Sequence, residues 1–169
     1  MQLKQTYIAH GFLTGLIMVV IAAGIYAAKL NIKMSALGLT VWVVFIVGII
    51  MNAVAFSKAN GGNITFGQAF ASCMMATLII SLLFAAWTAA SHYIFPNIEM
   101  EEMEEARRRL QERGMSEQMI DRGMKVASMF TGPIIKTVAS AFFCAIGGTI
   151  ISLIAAAVAK KNPQPPQMM

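Results

Sequence analysis

The sequence predicts an all-α fold, an integral membrane four-helix bundle with an amphipathic helical hairpin between the third and fourth spans. Three observations carry this. Long apolar runs dominate the 169 residues, of which 57% are hydrophobic and 12% charged, whereas a soluble domain is nearer half apolar and a quarter charged. Every acidic residue lies between Glu99 and Asp121. Outside the wider segment 96–133 the cations are all lysines (Lys4, Lys29, Lys33, Lys58, Lys136, Lys160, Lys161), at or near the ends of apolar runs, where membrane-flanking charge belongs. The chain, 1–169, reads as a single membrane domain.

Residues 8–28 are the first span, about the length that crosses the hydrocarbon core as a helix. Lys4 before it and small residues at its end suit a secretory signal, but the apolar stretch is too long for one. Gly11 and Gly15 form a GxxxG pair that would let a neighbouring helix approach closely. The pattern is frequent by chance, so no contact is assigned to it. His10 sits at the entry, within reach of water. A polar turn over 29–35 leads to the second span, 37–56, which opens near Trp42, an interfacial residue type. Its conspicuous polar group is Asn52. An amide in lipid is costly, so Asn52 is expected to face another helix and hydrogen-bond to it.

The segment SKANGGNIT at 57–65 breaks the helix at Gly61 and Gly62, and Asn63 or Thr65 can cap the next one. The third apolar run covers 66–95, with its span at about 68–95. Ser72, Thr77, Ser81, Thr88 and Ser91 recur beside Ala76, Ala85 and Ala89, which predicts a face of small residues suited to helix contact. Such hydroxyls can bond their own helix carbonyls and need not line a channel. Trp87, His92 and Tyr93 gather before Pro96 as an aromatic belt.

The hairpin occupies 97–131. Asn97 is expected to cap its first helix, with Glu99, Glu101 and Glu102 near the positive end and Arg107, Arg108, Arg109 and Arg113 toward the negative end. Glu104 with Arg108 and Glu105 with Arg109 are i,i+4 pairs in the favoured direction. Met100, Met103, Ala106 and Leu110 form a narrow apolar stripe, and Gly114 ends the helix as a C′ glycine. Ser116 caps the second helix, where Met119, Ile120, Met124 and Ala127 continue an apolar face, broadened by Val126 and Phe130. The five glutamates before Arg107 lack the alternating carboxylates and turn glycine of a calcium loop.

Pro133 opens the fourth span, 133–159, as a proline acceptable at a first helical position. Lys136 is close enough to the start to snorkel to the interface. Ala141, Ala145, Gly148 and Ser152 form a small-residue stripe expected to pack on the third helix. The tail, 160–169, is polar and proline-rich and is expected to be disordered.

These features exclude several classes. No basic patch interleaved with aromatics supports nucleic-acid binding. Cys73 and Cys144 lie in apolar runs without a CxxC neighbour or a histidine at ligand spacing, and read as small buried hydrophobes. HExxH, GxSxG and paired intramembrane aspartates are missing, so no enzyme is predicted and no metal or other cofactor. Asn52, His92 and Lys136 are the intramembrane or interfacial polar candidates. For Asn52 a packing hydrogen bond outweighs functional use, and for His92 an interfacial role outweighs proton sensing.

GGNITFGQAF at 61–70, FPN at 95–97 and GMSEQMIDR at 114–122 resemble a bacterial membrane family known as domain of unknown function 4199. The resemblance covers nearly the whole chain. It implies a four-helix inner-membrane protein with both termini cytoplasmic and the hairpin outside, and it carries no catalytic residues. The basic content of this hairpin departs from the more acidic one the resemblance implies. A plain Lys/Arg count would instead place the hairpin side in the cytoplasm, but its arginines face carboxylates within a folded hairpin.

The expected function is therefore that of a non-enzymatic multi-pass protein of the bacterial inner membrane. Its contacts would be the lipid bilayer and, through the hairpin, a protein partner, lipid or another copy of the chain. The alternative is a subunit of an oligomeric small-solute transporter or channel, since four spans alone rarely enclose a pathway.

Overall fold

A computed structural model describes residues 3–28, 36–130 and 132–160. They form α1 (Leu3–Ala27), α2 (Ala36–Ala59), α3 (Phe66–Ile94), α4 (Pro96–Glu112), α5 (Glu117–Phe130) and α6 (Pro133–Ala159). No strand occurs among the described residues. Four stretches, Thr6–Ala27, Gly38–Ala59, Phe66–Ile94 and Pro133–Ala159, are long and apolar enough to cross a membrane. At about 1.5 Å per residue each exceeds a hydrocarbon core of about 30 Å. The fold is thus an all-helical membrane bundle with a hairpin, α4–α5, between the third and fourth spans. The expected polar turn at 29–35 and most of the expected tail, 161–169, lie outside the described residues.

The helices fall into two compact units. The first combines Met1–Phe84 with Ala141–Met169, and so contains α1, α2, the start of α3 and most of α6. The second is Ala85–Ser140, which holds the end of α3, the hairpin and the start of α6.

The first unit is packed inversely to a soluble domain. Large apolar side chains point outward: Val20, Leu39, Val43, Leu82, Phe142 and Phe143 are all more than half exposed. In water such a surface would aggregate; lipid covers it at no cost. The interior instead takes small and polar residues, among them Thr14, Ser72, Thr77, Ser81 and Ser152, around a core of Met18, Phe45, Ile49, Cys73 and Ile80. Apolar side chains gain little by leaving lipid for protein, so close packing and interhelical hydrogen bonds must hold the helices together. On α2 the buried positions Val41, Phe45, Ile49, Asn52 and Phe56 recur every three or four residues, with Ala53 beside Asn52, which is one face of a helix.

Glycines set the closest approaches. A Cβ on Gly11 of α1 would lie 3.1 Å from the Ala76 carbonyl oxygen on α3, and one on Gly15 would lie 2.7 Å from Leu83. The GxxxG pair, to which the sequence alone assigned no contact, therefore seats α1 on α3. A Cβ on Gly148 of α6 would run into the Thr77 side chain, and one on Gly48 of α2 into Thr14. The small stripe of α6 meets α3 as expected.

The link between α2 and α3 turns on Gly61 and Gly62, at φ +65° and +79°, where the left-handed region favours glycine. The Gly62 N–H donates to the Ser57 carbonyl at 2.8 Å. Of the two expected caps, Thr65 is used. Its Oγ1 accepts the Gln68 N–H at 3.3 Å, and Gln68 Oε1 accepts the Thr65 N–H at 3.1 Å. This reciprocal capping box satisfies two orphan donors at the start of α3.

In the second unit the expected Asn97 cap is not used. The helix begins one residue earlier, at Pro96, with Phe95 in the cap position and no side-chain cap bond. Proline has no N–H to satisfy and its φ is already helical, so the start needs no capping side chain. Gly114 ends α4 at φ +72°. The Gly114 N–H donates to Gln111 O at 2.9 Å and the Met115 N–H to Leu110 O at 3.3 Å. These are the two bonds of a Schellman cap.

Candidate functional site

The strongest concentration of polar chemistry is a seam inside the first unit. Asn52 on α2 is fully buried, and its Nδ2 donates to Ser72 Oγ on α3 at 3.2 Å. The same Nδ2 lies 3.8 Å from Cys73 Sγ, a weaker contact. The Cys73 thiol in turn lies 3.9 Å from the Ile49 carbonyl oxygen of α2. Further along, the hydroxyls of Thr77 on α3 and Ser152 on α6 are 3.4 Å apart, and both residues are fully buried. The expected interhelical bond of Asn52 is therefore present, and its partner is a hydroxyl of the α3 small-residue face.

The seam is not saturated. Asn52 Oδ1 and Ser81 Oγ are buried without a hydrogen-bond partner. Such an atom costs about 1–3 kcal/mol by protein measurements. The side chains are neutral amides, hydroxyls and a thiol. They can hold a polar group or a water, and they carry no charge to steer an ion.

His92 and Lys136 belong to the second unit, so the structure does not gather the three polar candidates into one compact unit with Asn52. His92 is half-buried near the end of α3 and meets Tyr93 edge-on, ring centroids 5.4 Å apart. Lys136 is half-buried in the first turn of α6, where its N–H bonds the Gly132 carbonyl at 2.9 Å. Among the described residues no three His, Cys, Asp or Glu side chains converge as a metal set.

The second feature is the hairpin. Arg107 on α4 reaches Asp121 Oδ1 on α5 at 3.0 Å and Glu117 at 3.7 Å. Arg109 pairs with Glu105 at 3.3 Å, as expected. Arg108 does not take Glu104; it turns to Glu112 at 3.3 Å and Glu105 at 3.8 Å. Glu105 thus serves two arginines, and Arg108 gains a second carboxylate one turn further along. The arginines are all well exposed, and only Glu105 among their carboxylates is half-buried, so each pair contributes about 1 kcal/mol or less. Apolar burial contributes more. Ile120 of α5 is 1% exposed, the one large apolar side chain fully buried among the described residues of this unit. Full burial of such a side chain contributes roughly 1.5–3 kcal/mol.

The apolar face of α5 is wider than what the fold covers. Ile120 is buried and Met124 and Ala127 half-buried, but Met119 and Val126, about two turns apart on the neighbouring edge, are 54% and 56% exposed. Met100 on α4 and Met129 on α5 are exposed as well.

Sequence reasoning missed the buried Thr14 and the Arg107–Asp121 bridge. Thr14 sits opposite Gly48, and that small residue facing a hydroxyl was the available signal. The bridge spans fourteen residues across a turn whose geometry no i,i+4 rule contains.

A family model described as a protein of unknown function (DUF4199) matches residues 9–161. No curated protein and no solved structure matches the chain.

Proposed function

The chain belongs to the DUF4199 family, and from that premise we propose a non-enzymatic, multi-pass protein of the bacterial inner membrane whose α4–α5 hairpin is its contact element. The observation that carries this is the uncovered apolar edge of α5. Met119 and Val126 lie exposed beside the inward Ile120, on a helix otherwise lined by Glu117, Asp121 and Lys125. Methionine is flexible and polarizable, so such an edge adapts to a protein partner, a lipid boundary or a second copy of the chain. The proposed orientation has both termini in the cytoplasm. A plain Lys/Arg count favours the opposite side; this orientation follows the family resemblance and discounts Arg107, Arg108 and Arg109, which are ion-paired within the hairpin. Reporter fusions at both termini and after Gly114 test it.

Photo-crosslinking in native membranes tests the contact. A probe at Val126 or Met119 is expected to capture protein, lipid or another copy, and a probe at Asp121 to capture far less. Equal yields from all three positions would remove the proposal.

A second reading, an oligomeric small-solute transporter or channel, is favoured by the unsaturated seam at Asn52 and Ser81. It requires proteoliposome flux that changes on Asn52→Leu. A chain that stays monomeric and carries no flux excludes it.

A further inference from the structure

A groove of about 330 Å³ runs between the last turns of α2 and α6, within the first unit. It is small for a ligand site but within the usual range. Ala53 on α2 and Ala155 on α6 are buried and form its floor; Val54 and Val158 are exposed and form its rim. The alanines create the space, because larger side chains at those positions would close it. Ser57 and Lys58, in the last turn of α2, complete the lining.

The charge at this end is one-sided. Lys58 lines the groove, and the exposed Lys160 follows α6 directly. No aspartate or glutamate occurs anywhere in this unit. The carbonyl ends of α2 and α6 point the same way and carry partial negative charge, which repels an anion. Any anion held here is therefore held by the lysines.

We propose that the groove binds one anionic phospholipid, with an acyl chain between Val54 and Val158 and the phosphate against Lys58. The apolar walls suit hydrocarbon, and a lysine at a span end suits a lipid phosphate. A zwitterionic lipid offers the same chain but no net charge, so charge is the discriminating property. The site is independent of the hairpin proposal, since all its residues lie in the other unit.

Native mass spectrometry of the full chain tests this, after exchange into detergent containing equal phosphatidylglycerol and phosphatidylcholine. One retained phosphatidylglycerol per chain is expected. Lys58→Gln should lower its retention about fivefold, the effect of one lysine near an anionic surface. Lys58→Arg should restore it, and Lys125→Gln on the hairpin should leave it unchanged. Equal retention of the two lipids, or full retention by Lys58→Gln, overturns the proposal. So does a lipid-free dimer, which would show a second copy seated in the groove. Should Lys58→Gln fail to fold, as judged by circular dichroism, the competition between the two lipids on the unaltered chain decides alone.

Discussion

The Asn52 amide on α2 donates to the Ser72 hydroxyl on α3 across 3.2 Å while its own carbonyl oxygen stays without a partner. One half of the side chain ties two helices together, and the other half is a liability. The two effects oppose each other, and the unpaired oxygen, at about 1–3 kcal/mol, is the larger. Interhelical hydrogen bonds in membranes average about 0.6 kcal/mol.

Asn52→Leu should therefore be neutral or stabilising, by up to about 2 kcal/mol. Asn52→Asp is similar in size but places a carboxylate in a span, and should cost roughly 2–3 kcal/mol at neutral pH. Unfolding by sodium dodecyl sulfate in mixed micelles measures both. A loss above about 2 kcal/mol for Asn52→Leu would mean that the bond outweighs the unpaired oxygen.

Gly148→Ala should destabilise the chain by about 1–3 kcal/mol, because the added methyl meets the Thr77 side chain and comes within 3.0 Å of Phe45. Thr77→Ala should recover part of that loss in the double variant. Gly24→Ala in α1 meets nothing within 4 Å, and should be neutral or stabilising by up to about 1 kcal/mol. The same micelle titration compares them.

In the hairpin, Ile120→Ala should cost about 2–4 kcal/mol and Arg107→Ala under about 1 kcal/mol. Amide hydrogen exchange reads this directly: α5 should lose protection in the first variant and nearly keep it in the second. The reverse order would make the ion pair the dominant link.

Thr65→Val removes the hydroxyl half of the capping box, and should cost about 1 kcal/mol while speeding exchange at the Gln68 amide. Faster exchange confined to the first turn of α3 is the expected pattern.

The spans were legible because lipid imposes a coarse rule, a long run of apolar residues, that leaves little else possible. The α2 helix runs three residues past the expected 56 because Ser57, Lys58 and Ala59 continue the helix as far as the Gly61–Gly62 turn. Thr65 and Gly114 were legible because caps are local. Asn97 misled, since a good capping residue lay one position inside a start that Pro96 made unnecessary. The partner of Asn52 was predictable only as another helix; which hydroxyl it meets depends on how α2 and α3 are rotated. Gly11 and Gly15 were visible but undecidable alone, because a notch has meaning only opposite Ala76 and Leu83. The open edge at Met119 and Val126 could not be read at all, since exposure depends on how much of an apolar face the neighbours cover.

Both α1 and α6 are keyed to the same few turns of α3, Gly11 and Gly15 against Ala76 and Leu83, Gly148 against Thr77. That makes α3 a ruler for the height of its neighbours in the bilayer. One residue inserted in α3 between Thr77 and Ile80 would leave its ends at odds over where α1 belongs, and would rotate Leu83 away from Gly15. The same insertion ahead of Gly11 in α1 would leave every one of these keys engaged. Tolerance to length change should therefore be uneven among four helices that hydropathy alone cannot tell apart.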